Sequence, residues 1–318
     1  MKSFILGILL ITALSTYAQQ NGNPPLSKFD QAIEMYDAGK YNEALSLANQ
    51  LLTSNMVSAK LFDLKGEIFL ALGEVDSALL NYKAGLKLTP ADPMIYFHRA
   101  FAYCRSQKYE ESIADYNTAI KYVNSDSAKY AIIANRGMAH MISGNLPEAY
   151  TDYKMILEFD STDVTSMVAM GSVLRKLGKN NEATYYYEKA VRLAPNEILT
   201  VGDLGFHLMS LGDYKGAIKQ YIKVLEIDPN NAIAYNNMGH AKYQLKDLKS
   251  ALQDIQRSLS LDPENAYAYR NRALVYLAMK KPGWACEDLH HAIKLGYTAM
   301  YGKDVEQLIE KHCVPKGF

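Results

Sequence analysis

Residues 232–265 read AIAYNNMGHAKYQLKDLKSALQDIQRSLSLDPEN, and their pattern decides the fold. Over about Ile233–Leu245, the residues Tyr235, Met238, Ala241 and Leu245 recur at three- and four-residue spacing, the period of one helical face. Lys246-Asp247 interrupts the run. From about Lys249 to Ser260 a second run sets Leu252, Ile255 and Leu259 inward, and Asp262-Pro263 ends it. Two such short helices cannot bury both apolar faces by themselves, so the unit is stable only when stacked on copies of itself.

Copies run along most of the chain. In register they fall at about 25–58, 59–92, 93–129, 130–163, 164–197, 198–231, 232–265 and 266–299. The third is three residues longer than its neighbours, which predicts a longer loop and a changed step at that point. Counting each unit from its first residue, position 8 is Ala32, Gly66, Ala100, Gly137, Gly171, Gly205, Gly239 and Ala273. Glycine in mid-helix costs about 1 kcal/mol relative to alanine, so the glycines imply close approach of the paired helix. Position 20 is small throughout, from Ala44 and Ala78 to Ala251 and Ala285, and is expected to face position 8. Tyr82, Tyr116, Tyr153, Tyr187 and Tyr221 share position 24, where a ring can wedge between units while its hydroxyl reaches water.

The ends differ from the repeats. Residues 1–18, MKSFILGILLITALSTYA, carry one charge at Lys2, an apolar run from Phe4 to Leu14 and a small residue at Ala18. The run is short for a membrane span, so it reads as a cleaved secretory signal peptide, with an uncleaved anchor as the alternative. Residues 19–24 read as a flexible lead, and 300–318 as a capping helix and tail, with Val305, Leu308 and Ile309 on one side of Lys303–His312.

Charge and cysteine usage exclude several classes. The 318 residues hold 34 basic and 34 acidic side chains, so no electrostatic drive toward nucleic acid or an anionic membrane exists. Cys104, Cys286 and Cys313 are odd in number and widely spaced, which reads as neither a disulfide framework nor a metal motif. Cys104 and Cys286 read as small buried hydrophobes and Cys313 as an exposed thiol near the tail. No hydrolase, metalloprotease or nucleotide-binding motif appears. His98, His140, His207 and His240 fall at scattered heights, while Asp76, Asp213 and Asp247 suit helix starts or turn caps. The expectation is no catalytic residue, no metal ligand and no cofactor.

The chain resembles the tetratricopeptide-repeat (TPR) family, whose 34-residue motif has small residues at 8, 20 and 27, large ones at 4, 11 and 24, and proline at 32. The seventh unit matches with Tyr235, Met238-Gly239, Ala251, Ile255, Ser258 and Pro263, and the sixth with Leu204-Gly205, Leu208, Ala217, Tyr221, Val224 and Pro229. It departs from the pattern at Lys28 and Gln31, and at Lys242 and Arg272, which occupy positions usually apolar. The resemblance implies an all-α fold, a right-handed superhelical α-solenoid of tandem helix-turn-helix repeats with a concave groove that binds peptides or protein segments.

In such a groove the first-helix positions 2, 5, 9, 12 and 13 would present Phe97, Phe101, Arg105, Met138, Met141, Val168, Arg175, Lys176, Phe206, Met209, His240 and Arg270. The middle units are apolar there and the last two polar. The alternative for each residue is packing between neighbouring first helices. The fifth and ninth positions hold pairs such as Asp63/Glu67, Phe97/Phe101 and Asn236/His240, never the lysine–asparagine pair with which some family members clamp a C-terminal carboxylate. The expected function is a non-catalytic scaffold that binds a protein or peptide partner in a periplasmic or extracellular setting, in envelope or secretion-related assembly. Nucleic acid is not expected as partner, and membrane contact only if the first segment is uncleaved.

Overall fold

The computed structural model describes residues 27–54 and 56–313. The expected signal peptide, the polar lead and the last five residues lie outside the described residues. The described chain is all-α. Eight helix pairs follow one another: α1 (Lys28–Asp37) with α2 (Tyr41–Thr53), α3 (Ala59–Ala71) with α4 (Val75–Leu88), α5 (Pro93–Arg105) with α6 (Tyr109–Tyr122), and α7 (Asp126–Ser143) with α8 (Leu146–Phe159). Then come α9 (Val164–Lys176) with α10 (Asn180–Leu193), α11 (Ile198–Ser210) with α12 (Tyr214–Ile227), α13 (Ala232–Gln244) with α14 (Leu248–Leu261), and α15 (Ala266–Ala278) with α16 (Pro282–Lys294). Two short helices close the series, α17 (Tyr297–Tyr301) and α18 (Asp304–His312).

The chain forms two compact units, one up to Ala139 and one from His140. In the first, α3 packs on α4 and α4 on α5, while the first helices α1, α3 and α5 also touch in succession. The second repeats the scheme, with α9, α11, α13 and α15 in succession. This is the stacking of an α-solenoid. Among the described residues no helix is long and apolar enough to cross a membrane.

Local chemistry starts and stops each helix. The residue at position 34 of a unit often caps the next first helix. Ser58, Asp92, Asp163, Asn231 and Asn265 each accept a backbone N–H through the side chain. Asp213 and Asp247 cap α12 and α14 in the same way, whereas Asp76 lies inside the first turn of α4, whose N-cap Glu74 makes no side-chain cap bond. Between the two helices of every pair, position 15 is left-handed. It is glycine at Gly39, Gly73, Gly144, Gly178 and Gly212, but Gln107, Lys246 and Lys280 take the same backbone with φ of 61°, 66° and 61°.

Three expectations are corrected. The three extra residues of the third unit do not make a longer loop. Three residues separate α6 from α7, and α7 is extended to 18 residues where most first helices have 13. An additional turn of helix satisfies its own backbone hydrogen bonds, which a loop would have to leave to water.

At Gly66, Gly171 and Gly205 the space over position 8 is filled by the ring at position 24 of the same unit, whereas at Gly239 the backbone of the small residue at position 20, Ala251, approaches as expected. A Cβ added at Gly66 would run into the Tyr82 ring, and one at Gly171 or Gly205 would be 2.9 Å from the ring of Tyr187 or Tyr221. The five position-24 tyrosines are therefore buried, and the hydroxyls of Tyr82 and Tyr221 do not reach water. Tyr187 instead shares a 2.8 Å hydrogen bond with Ser172.

Lys242 and Arg272 do not disturb the stack, because each is paired across its own helix hairpin. Lys242 Nζ is 2.6 Å from Asp254 Oδ2, and Arg272 forks onto Asp288 with bonds of 2.8 and 2.7 Å. Arg99 and Asp115 form the same fork at 2.7 and 2.8 Å. All three aspartates stand at position 23.

Finally, Cys286 and Cys313 are not isolated thiols. They form a disulfide across 27 residues, with Cα atoms 5.6 Å apart, and only Cys104 remains free among the described cysteines. The bond ties the end of α18 to α16, alongside an apolar cluster in which Val305, Leu308 and Ile309 meet Ala285, Leu289 and Tyr297.

Candidate functional site

The residues expected to line a groove fall on both compact units, and the two surfaces differ. On the first unit Phe97 is half-buried, its ring 5.8 Å from Tyr116 and 5.6 Å from His98. Phe101 is half-buried against the cluster of Leu70, Tyr82, Leu86 and Ile95. Arg105 is exposed but donates through Nη1 to the Leu70 carbonyl at 3.0 Å, joining successive first helices. Met138 is partly buried on α7. Much of the apolar surface foreseen here is thus packing between neighbouring helices.

The second unit presents a more open surface. Phe206 on α11 is 50% exposed, and the Arg175 guanidinium of the preceding first helix lies 5.5 Å above its ring. That is a cation–π arrangement at the surface. Lys176 is exposed, while Met141, Val168 and Met209 are partly buried.

His240 and Arg270 turn away from this role. Asn236, expected on the groove face, is 3% exposed and accepts a 3.0 Å hydrogen bond from buried Asn271. Burial pushes the His240 imidazole down to about 4, the charge of Arg270 pushes the same way, and a hydrogen bond with Asn271 opposes both. His240 is therefore neutral. Arg270 is held by Asp304 at the start of α18, through Nε at 3.0 Å and Nη2 at 2.8 Å. The polar face of the last two repeats serves the seating of the C-terminal helices.

Sequence reasoning missed one cluster altogether. Asp63 and Glu67 are one helical turn apart on α3, and α5 brings His98 against both. His98 Nδ1 lies 2.9 Å from Asp63 Oδ1, and Nε2 lies 3.6 Å from Glu67 Oε1. Burial alone would lower the His98 pKa. The charge of Asp63, the hydrogen bond to it and the charge of Glu67 outweigh burial and hold it up at about 9. Burial pushes Glu67 up, against the charge of His98. The signal was a spacing of one repeat plus one residue, from Asp63 to His98. It becomes visible only once successive first helices are laid side by side.

Comparison with known proteins follows the same repeats. A family model described as TPR repeat matches residues 66–107 and 207–246, and models described as tetratricopeptide repeat match 164–197 and 232–265. RNA polymerase II-associated protein 3 of Xenopus laevis is 30% identical over 138 residues, 42% of this chain and 20% of that protein. A TPR repeat-containing protein of Methanocaldococcus jannaschii is 25% identical over 171 residues, 41% of this chain and 30% of that protein. The chain thus spans a fifth to under a third of the length of these relatives.

Among solved structures, a tetratricopeptide repeat protein from Parabacteroides merdae superposes with a TM-score of 0.66 at 17% identity, covering 80% of this chain and 99% of that one. The C-terminal part of a TPR repeat-containing protein from Cytophaga hutchinsonii gives 0.51 at 21% identity, covering 87% and 98%. At these identities the likeness concerns the fold. With the paired helices, the position-8 contacts and the matched models together, the chain is built of tetratricopeptide repeats in tandem.

Proposed function

We propose that the protein is a non-catalytic scaffold outside the cytoplasm that holds an extended or helical segment of a protein partner on its first-helix face. A TPR array is suited to protein–protein interaction, and the observation that carries the reading is the pairing of exposed Phe206 with Arg175 on the second unit. A large aromatic surface beside a guanidinium favours a segment with apolar side chains and a nearby carboxylate. Phe97 and Phe101 on the first unit are half-buried and are left out of this surface.

The compartment is inferred from two features. One is the stretch MKSFILGILLITALSTYA, with the pattern of a signal peptide. The other is the Cys286–Cys313 disulfide, a bond that persists in oxidising compartments and is rare in the cytosol. Assembly of an envelope or secretion complex fits such a location.

The test is affinity capture from an envelope fraction with wild-type protein and with a Phe206→Ala/Arg175→Ala variant, read by quantitative mass spectrometry. A partner enriched by the wild type and depleted at least tenfold by the variant is expected. Equal recovery by both would remove this surface from the reading. N-terminal sequencing of the exported chain should give Gln19, and a retained Met1 would favour a membrane-anchored form of the same scaffold.

A further inference from the structure

We propose that Glu67 and His98, oriented by Asp63, bind one divalent transition-metal ion of the zinc class on the first unit. This site is independent of the partner surface on the second unit. The three side chains are partly exposed and their potential ligand atoms lie within 4.8 Å of one another.

Each residue has a separate task. Asp63 Oδ1 stands 2.9 Å from His98 Nδ1 and accepts a hydrogen bond from its N–H, the tautomer that leaves the lone pair on Nε2. Nε2 faces Glu67 Oε1 at 3.6 Å. Zinc with bonds of about 2.0–2.1 Å in tetrahedral geometry sets its ligands about 3.3–3.4 Å apart, so a small rotation of the Glu67 side chain closes the site. Asp63 sits on the far edge of the imidazole and is an orienting residue, in the carboxylate–histidine–metal order that fixes the tautomer. Water completes the coordination from the open side. One imidazole nitrogen and one carboxylate suit zinc, cobalt or nickel. Calcium and magnesium call for a larger set of oxygens.

A second observation points to a ligand at the same place. Tyr82 is wholly buried, yet its hydroxyl has no hydrogen-bond partner in the protein. Its ring lies against Gly66, between Asp63 and Glu67 on the helix, and its centroid is 6.2 Å from that of His98. A buried phenol without an acceptor is costly, and the charges of Glu67 and Asp63 both act on this hydroxyl. The position-24 tyrosine of the fifth repeat has its partner in Ser172, while that of the sixth, Tyr221, is orphaned like Tyr82 but has no such cluster beside it. Tyr82 stands beside the carboxylate–imidazole cluster instead.

The competing account is a histidine that merely bridges two carboxylates as an ion pair. The metal-stripped full chain titrated with Co²⁺ and Zn²⁺ separates the two. The expected result is one ion per chain, with visible d–d absorption from Co²⁺ that Zn²⁺ displaces. Glu67→Gln and His98→Gln should each weaken Zn²⁺ at least tenfold, and Asp63→Asn about 10–100-fold, the usual loss for an orienting partner. A His290→Gln/His291→Gln variant should bind as wild type does. Glu67→Gln keeps the shape of the side chain, and circular dichroism of each variant reports an intact helical array. The proposal is overturned if wild type gives no Co²⁺ absorption, or if folded Glu67→Gln and His98→Gln bind Zn²⁺ as tightly as wild type.

Discussion

At the scale of single residues, the departures from the repeat pattern are the informative positions. Lys242 and Arg272 read as misfits because a charge at an apolar position carries no partner in the linear sequence. Their partners, Asp254 and Asp288, sit on the opposite helix of the hairpin. Asp288 is nearly buried, so removing it strands a guanidinium. Asp288→Ala is expected to lower stability by about 3 kcal/mol, whereas Arg272→Met with Asp288→Leu should recover most of that loss. Urea unfolding of the single and double variants checks both. Gly66 teaches the same lesson. Its smallness was legible and implied close approach, but the approaching group proved to be the Tyr82 ring. Which of two candidate neighbours fills a gap depends on rotamers, and spacing does not encode rotamers.

At the scale of helices and turns, the sequence was most readable where a backbone requirement is written by one residue type. Glycine marks the left-handed position in five of the eight hairpins. Gln107, Lys246 and Lys280 adopt that conformation without glycine, held by the hairpin on either side. Each is expected to gain about 1 kcal/mol on replacement by glycine, since the left-handed region penalises a Cβ by about that amount. Thermal midpoints should rise for Gln107→Gly, Lys246→Gly and Lys280→Gly, and rise further in the triple variant. The same substitution at Lys281, one residue on, should bring no such gain. The lengthened α7 was less legible, because an insertion count does not say whether added residues join a loop or a helix.

The face of α13 and α15 was misread for a different reason. Polar residues on a repeat face read as solvent-facing, yet Asn236 and Asn271 form a buried pair that half-buried His240 joins through Asn271. It has a pH signature. His240 has a pKa near 4 in the folded chain and an ordinary one near 6.5 when unfolded. Above about pH 6.5 both forms are neutral and its contribution is flat. Between pH 6.5 and 4 the unfolded chain takes up the proton first, so stability falls as pH falls, by roughly 2–3 kcal/mol. His240→Gln should remove this component, seen as a shallower drop in urea midpoint between pH 7 and pH 4.5.

At the scale of the whole molecule, the repeat count and the all-α class were legible because a fixed period over most of the chain leaves little else to choose. The candidate surface was legible only in outline. Register places residues on a face, but whether Phe206 stays open while Phe97 is covered depends on side chains from neighbouring repeats. The disulfide was not legible at all. Three cysteines at wide spacing give no pairing until α18 folds back on α16. Its reduction is expected to lower stability by about 3.5 kcal/mol, the order set by closing a loop of this length. Calorimetry with and without reductant, against Cys286→Ser/Cys313→Ser as control, measures it, and the control should not respond to reductant.

That bond also changes how the array comes apart. Repeats held only by their neighbours fray from the ends, where one side of the last helix pair has no companion. With Cys313 tied to Cys286, α18 cannot peel away as a free strand of chain. It can open only as a loop anchored at both ends, and closing is then quick. In the oxidised protein the amide protons of α18 should exchange with solvent at rates close to those of α16. After reduction they should exchange ahead of it, and α18 should then be cleaved by a protease before α16.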